Sequence, residues 1–202
     1  MPKQTFFNLP ASKRNILLEA AKKEFTRAPL FEASIANIVR AAGIPRGSFY
    51  QYFEDKEDLY LYLLDSKLKK SRKQLILSLQ KHNGDLIEAA IDLYYNFLVK
   101  IPDEEERNFL KNAFLYATSS VENFFMDMFH SILHLDEISK EIDKSRLNIR
   151  EEKDISHILQ IITGVAIQNF IRKISEKLSD DEAIEHFMFQ INLIKYGIYK
   201  RD

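Results

Sequence analysis

The chain has 202 residues, 46% apolar and 29% charged, with 29 Lys+Arg against 30 Asp+Glu and a formal net charge of −1. That length can bury a real core, the balance is neither disordered nor fibrous, and five Gly with five Pro are too few for an all-β sandwich or barrel. The absence of Cys excludes disulfides, thiolate zinc sites and cysteine catalysis; no apolar run approaches the roughly 18 residues of a membrane span, and the start MPKQTFFNLPASK lacks a signal-peptide stretch, so an all-α, cytoplasmic protein is expected.

The first helix is expected from Pro10 to Ala28, where Ile16, Leu17, Ala20, Ala21 and Phe25 recur at helical spacing and Pro29 ends it. Ser34 reads as the N-cap of a second, short helix, its hydroxyl accepting from a free backbone N–H. Ile35, Ile38, Val39 and Ala42 form that helix's apolar stripe, and Gly43 ends it in a left-handed turn. Pro45 suits the first position of a third helix, Pro45 to Tyr52, because its missing N–H costs nothing there. Two short helices across so tight a turn describe a helix-turn-helix.

Asp55 then caps a fourth helix reaching Leu79, and Asn83-Gly84 breaks the chain. Further helices are expected at 85–100, 104–118 and 120–136, followed by a charged, partly helical connection over 136–154. Ile155, Ile158, Leu159, Ile162, Val165 and Phe170 line the next helix. Ile184, Phe187, Met188, Ile191, Ile194 and Ile198 line the last. Between them, Ser179 with Glu182 three residues on makes a capping box.

Charge is unevenly placed. Residues 1–53 hold eight basic and three acidic groups, a net +5, and the rest of the chain carries −6. A basic head on an acidic body points to a polyanion as the head's partner. The stretch from Ile38 to Leu59, IVRAAGIPRGSFYQYFEDKEDL, resembles the DNA-binding signature of the tetracycline-repressor (TetR-like) family. Ala42, Gly43, Gly47, Tyr50, Tyr52, Phe53, Lys56, Glu57 and Leu59 carry the resemblance. Pro45, Ser48 and Phe49 depart from the family's usual Ser or Thr, Thr and Leu.

The resemblance implies an all-α protein with an N-terminal three-helix helix-turn-helix DNA-binding domain at 1–54. A helical ligand-binding and dimerisation domain would fill 55–202. It also implies a ligand-responsive transcriptional regulator, a repressor released from a palindromic operator by a small, largely apolar effector.

Reading a major groove takes donors that reach base edges and flanking groups that hold phosphates. Arg46, at the start of the third helix, can make a bidentate contact to guanine O6 and N7. Gly47 lets the backbone approach closely, and Ser48 and Gln51 are short-range polar readers. Tyr50 and Tyr52 can give phenolic hydrogen bonds to phosphate, although Tyr52 can equally pack on the first helix. By resemblance Lys56 is a phosphate anchor. Ser34, with the N–H groups beside it, can hold a further phosphate. Phe49 and Phe53 read as core plugs, Arg40 as a solvated charge, and Lys3 as a mobile tail or a minor-groove arm.

In the body, the last two helices, about 152–177 and 180–199, are the expected homodimer surface, although their stripes can also pack within one subunit. The aromatic middle helices offer an effector pocket by resemblance, with Phe97, Phe114, Phe125 and Met128 as its candidate contacts; a packed core explains most of them equally well. His130 and His134, four apart, can chelate a metal with Asp127 or His157, but no closed ligand set accompanies them, so no metal and no cofactor is expected. Nothing pairs a nucleophile with a base, so no catalytic residue is expected. An enzyme and a helical interaction or lipid-binding module remain the competing classes. Salt-dependent, sequence-selective DNA binding separates a regulator from both.

Overall fold

The computed structural model describes residues 1–99, 104–124 and 135–197, and among these there are helices and no strand. Of the described residues, those within Met1–Lys69 and Asp103–Phe124 form one compact unit. Those within Lys70–Pro102 and Phe125–Asp202 form a second.

The first unit opens with a helix the sequence did not announce, α1 (Gln4–Phe7). Four residues are too few to show a period. What fixes α1 is burial of Phe6, whose ring lies 4.9 Å from that of Phe53 and 5.5 Å from that of Tyr62. The segment is therefore docked, and Lys3 at its start is neither a mobile tail nor a free arm. The expected first helix follows as α2 (Ala11–Arg27). It buries Leu17, Ala20, Ala21, Glu24 and Phe25, while Ile16 points outward.

The helix-turn-helix is α3 (Ile35–Ala42) and α4 (Arg46–Tyr52). Gly43 sits at φ 67°, ψ 31° between them. Its N–H reaches the Arg40 carbonyl and the Ile44 N–H reaches that of Val39 (3.0 Å), the pair of bonds that closes a helix through a left-handed residue. Pro45 lies just outside α4, as its extended N-cap residue at ψ 144°. Arg46, with its N–H, therefore takes the first helical position that Pro45 was expected to fill.

Helix α5 (Lys56–Lys81) starts where Asp55 accepts from the Asp58 N–H at 2.8 Å. Helix α7 (Glu104–Leu115) packs on α2, so this unit reaches beyond residues 1–54. Asn112 of α7 is buried and donates to the carbonyls of Phe25 (2.9 Å) and Thr26 (3.1 Å), which the end of α2 leaves without helical partners. Tyr60 links the aromatic core, 4.8 Å from Phe25 and 5.3 Å from Phe109. Residues 119–124 are again helical, the described part of the helix expected over 120–136.

The second unit contains α6 (Leu86–Val99), α8 (Leu135–Glu141), a 3₁₀ turn (Lys144–Arg146), α9 (Asp154–Glu176) and α10 (Asp180–Tyr196). Asn83 and Gly84 both take positive φ at the predicted break. A Cβ on Gly84 would lie 2.5 Å from the Asp143 nitrogen, so that turn admits only glycine. The connection over 136–154 is more ordered than expected: the Asp143 N–H bonds the Gly84 carbonyl (3.0 Å), and Arg146 pairs with Asp85 (2.6 Å). The capping box of Ser179 and Glu182 is present at the start of α10.

Candidate nucleic-acid interface

Helix α4 has two faces. Phe49 is fully buried, and Phe53 just beyond the helix joins it in the core, so both act as plugs. Gly47 and Gln51 across the helix, Tyr50 to one side and Arg46 at its first position are exposed, with Ser48 and Tyr52 half-buried. Seven residues thus carry a buried anchor and an outward row of a guanidinium, a bare backbone, a phenol and an amide. A short helix can present such a row to base edges and phosphates. A Cβ on Gly47 would meet nothing within 4 Å, so its value lies in access from outside.

The start of α3 differs from expectation. Ser34 is the N-cap residue, but its hydroxyl makes no capping bond. The buried Glu24 carboxylate stands there instead. It accepts from the Ser34 N–H (2.9 Å), Asn37 Nδ2 (3.1 Å), and Arg27 Nε (2.9 Å) and Nη2 (2.7 Å). Asn37 in turn accepts from Arg40 (2.8 Å), so Arg40 is tied to this network and is more than a solvated charge. The bonds from Arg27, Ser34 and Asn37 hold the Glu24 carboxyl at a pKa of about 2, against the opposing effect of burial. A carboxylate at this helix start takes one N–H and repels an incoming anion, which lowers its capacity for phosphate. Sequence reading missed Glu24. Its signal was a charged residue beside Phe25 on the buried stripe of α2.

Lys56, at the start of α5, donates to the carbonyls of Phe31 (2.9 Å) and Ala33 (2.8 Å). It therefore ties α5 to the α2–α3 loop, and two of its three donors are committed.

In the second unit, Phe97 lies edge-on to Phe170 (5.0 Å) and beside Tyr94 (6.4 Å), which stacks on Phe187 (4.1 Å). The Tyr94 hydroxyl is buried with no hydrogen-bond partner among the described residues, and burial pushes its pKa up. Phe114 belongs to α7 in the first unit, so Phe97 and Phe114 fall in different units. Phe125, Met128, Asp127, His130 and His134 lie outside the described residues, and His157 is exposed. Among the described residues no group of three metal-ligating side chains is brought together.

Six of the twelve residues of the stripe expected at a dimer surface are this unit's own core, and Ile158, Val165 and Ile184 are half-buried. Ile155, Leu159, Ile162, Phe170, Phe187 and Ile191 are buried, and Ile198 lies outside the described residues. A second apolar set stays open on the same helices: Ile161, Phe189 (66% exposed), Leu193 and Tyr196. Met188 and Ile194, from the expected stripe, are exposed with them. Beside Ile161, α9 bears an open depression lined by Gln160, Gly164, Ile167 and Gln168. No helix among the described residues is long and apolar enough to cross a membrane.

Two family profiles match the chain. One, for bacterial regulatory proteins of the tetR family, covers residues 17–63. The other, for the tetracyclin repressor-like C-terminal domain, covers residues 85–198, more than half of the chain. The HTH-type transcriptional regulator YdgC of Bacillus subtilis (strain 168) is 30% identical over 105 residues, spanning 49% of this chain and 54% of that protein. The regulator AcrR of Shigella flexneri is 29% identical over 109 residues, 54% of this chain and 50% of that protein. The chain thus spans about half the length of these curated relatives. Among solved structures, a TetR-family regulator from Syntrophomonas wolfei superposes with a TM-score of 0.70 at 18% identity, covering 95% of this chain and 98% of that one. FadR of Bacillus subtilis in complex with stearoyl-CoA superposes with a TM-score of 0.65 at 17% identity, covering 92% and 99%. At those identities the superpositions establish a shared fold.

Proposed function

The chain belongs to the tetracycline-repressor (TetR) family of bacterial transcriptional regulators, and from that premise we propose that it is a cytoplasmic, ligand-responsive repressor. It leaves a palindromic operator when a small, largely apolar effector binds. The observation that carries the DNA reading is the outward row of α4, Arg46, Gly47, Tyr50 and Gln51, held by Phe49 on the buried side. Arg46 reads a guanine, and Ser48 and Gln51 read neighbouring edges. Tyr50, Tyr52, the remaining donor of Lys56 and the Ser34 hydroxyl hold phosphates.

One such helix reads only a few base pairs. Two copies joined through the last two helices, about 152–177 and 180–199, give half-sites about 34–36 Å apart. The open face of Ile161, Phe189, Leu193 and Tyr196 supports that junction. An apolar effector is supported by the aromatic cluster of Tyr94, Phe97, Phe170 and Phe187, whose one hydroxyl has no hydrogen-bond partner among the described residues. The long acyl chain of the ligand bound to the FadR neighbour points the same way. Helix α5 carries Lys56 at its start and Leu79 in the second unit's core, and so connects effector and reader along the chain. To reverse a 99:1 preference, the effector must favour the released state by about 5.5 kcal/mol.

The test is titration of duplexes that the wild-type protein enriches from a random library. Arg46→Ala costs ~1–3 kcal/mol and relaxes preference at one base pair, whereas Lys56→Ala weakens binding to all sequences and lowers the salt slope by about one. Unchanged affinity and base preference in Arg46→Ala overturns the assignment.

A further inference from the structure

A helix of seven residues is barely two turns, and such helices are marginal unless their ends are held. The last four carbonyls of any helix lack intrahelical partners beyond its final residue. In α4 these belong to Phe49, Tyr50, Gln51 and Tyr52, and all four are occupied. The Phe53 N–H takes the carbonyl of Phe49 (2.9 Å). The other three are taken by one distant segment. The Lys3 ammonium donates to the Tyr50 carbonyl (3.0 Å), the Thr5 hydroxyl to that of Gln51, and the Lys3 backbone N–H to that of Tyr52 (2.8 Å). Phe6 anchors the segment in the core against Phe53 and Tyr62, and Arg14 of α2 donates to the Phe7 carbonyl (3.2 Å). The ammonium also lies at the negative end of the α4 dipole, where a cation is favoured.

We propose that residues 3–7 are a positioning element of the DNA reader: they close the C-terminal end of α4 and thereby fix Tyr50 and Gln51 for recognition. The proposal rests on the reading that α4 enters the major groove. Lys3 and Thr5 are exposed, and the side-chain hydrogen bond of each goes to a carbonyl of α4. They are positioning residues, and Lys3 acts through a carbonyl instead of through a phosphate.

The experiment uses the full chain with Lys3→Met, Thr5→Val and, as the conservative control, Thr5→Ser. Amide hydrogen exchange is followed in the free protein. Affinity is measured for a duplex enriched by the wild type and for a scrambled duplex of equal length, across a salt series. The expected result is faster exchange of the α4 amides in Lys3→Met and Thr5→Val, by about three- to tenfold, with a similar loss of affinity for the enriched duplex alone. The salt slope of Lys3→Met stays at the wild-type value, and Thr5→Ser restores wild-type exchange and selectivity. Unchanged exchange in α4 overturns the proposal. So does a salt slope lowered by about one in Lys3→Met with equal loss on both duplexes, because Lys3 then holds a phosphate. A wild-type protein that enriches no sequence breaks the reading of α4, and the exchange data still decide the cap.

Discussion

The two units differ in how completely their polar and apolar groups are partnered. In the first, Glu24 takes four donors, Asn112 closes the end of α2, Lys56 spans two loop carbonyls, and α4 has its carbonyls filled. In the second, the Tyr94 hydroxyl is buried with no hydrogen-bond partner among the described residues, and Phe189 and Tyr196 lie open on α10. The first unit ties its buried polar groups to one another within the chain, although Ile16 and Phe31 remain exposed, whereas the second leaves the Tyr94 hydroxyl unbonded among the described residues and an open apolar row on α10. A reader of base edges needs fixed geometry. A responsive body needs contacts that are made and unmade.

The contrast breaks most sharply at the open face. Phe189→Asp places a charge where a partner subunit would desolvate it, and should weaken dimerisation by about 2–4 kcal/mol. Sedimentation velocity should then show monomers at concentrations where the wild type is dimeric, with the helical circular dichroism of the folded chain retained. A wild type that is monomeric at every concentration contradicts the surface.

Glu24→Gln tests the opposite unit. Loss of the charged acceptor should cost about 1–3 kcal/mol of unfolding free energy, read by denaturant titration. The carboxyl is held at about 2 in the folded state against an ordinary value of about 4.5. Its contribution is therefore complete above about pH 4.5 and is lost as the pH falls through about 2. Wild type should lose stability over that window more steeply than Glu24→Gln. Parallel pH profiles would show that the network carries no stability.

The smallest effect is expected at Tyr94. Removal of an unpaired buried hydroxyl in Tyr94→Phe should leave stability unchanged or raise it by up to about 1 kcal/mol. If the hydroxyl is the effector's polar contact, the same variant should need more effector to release DNA. A loss of stability in Tyr94→Phe would show that the hydroxyl is already paired in the protein.

What the sequence showed divides by how far apart the interacting residues lie in the chain. Gly43, Asp55, Asn83-Gly84 and the Ser179–Glu182 box act through neighbours within a few residues, so their types and spacing were enough. The outward row of α4 was legible because Gly47 and Gln51 fall across the helix from Phe49, with Tyr50 about a quarter turn from it. Ser34 marked the correct position, but the bond expected of its hydroxyl was taken by Glu24, ten residues away. Helix α1 escaped because it depends on Phe6 meeting Phe53. The packing of α7 on α2 depends on Asn112 meeting carbonyls 86 and 87 residues distant, and no local pattern encodes that. In the last two helices the period found the buried residues Ile155, Leu159, Ile162, Phe170, Phe187 and Ile191 but placed the exposed Met188 and Ile194 with them, because an outward face of these helices is apolar too and periodicity cannot say which one a partner covers.

On the proposed function this chain reads DNA as a dimer through α4. Binding of the purified protein to its own upstream DNA and to random DNA across a salt series tests it most directly. Selective binding that weakens steeply with salt, at two protomers per site, is the expected result. Equal and weak binding to both, with random-library selection enriching no sequence, would contradict it.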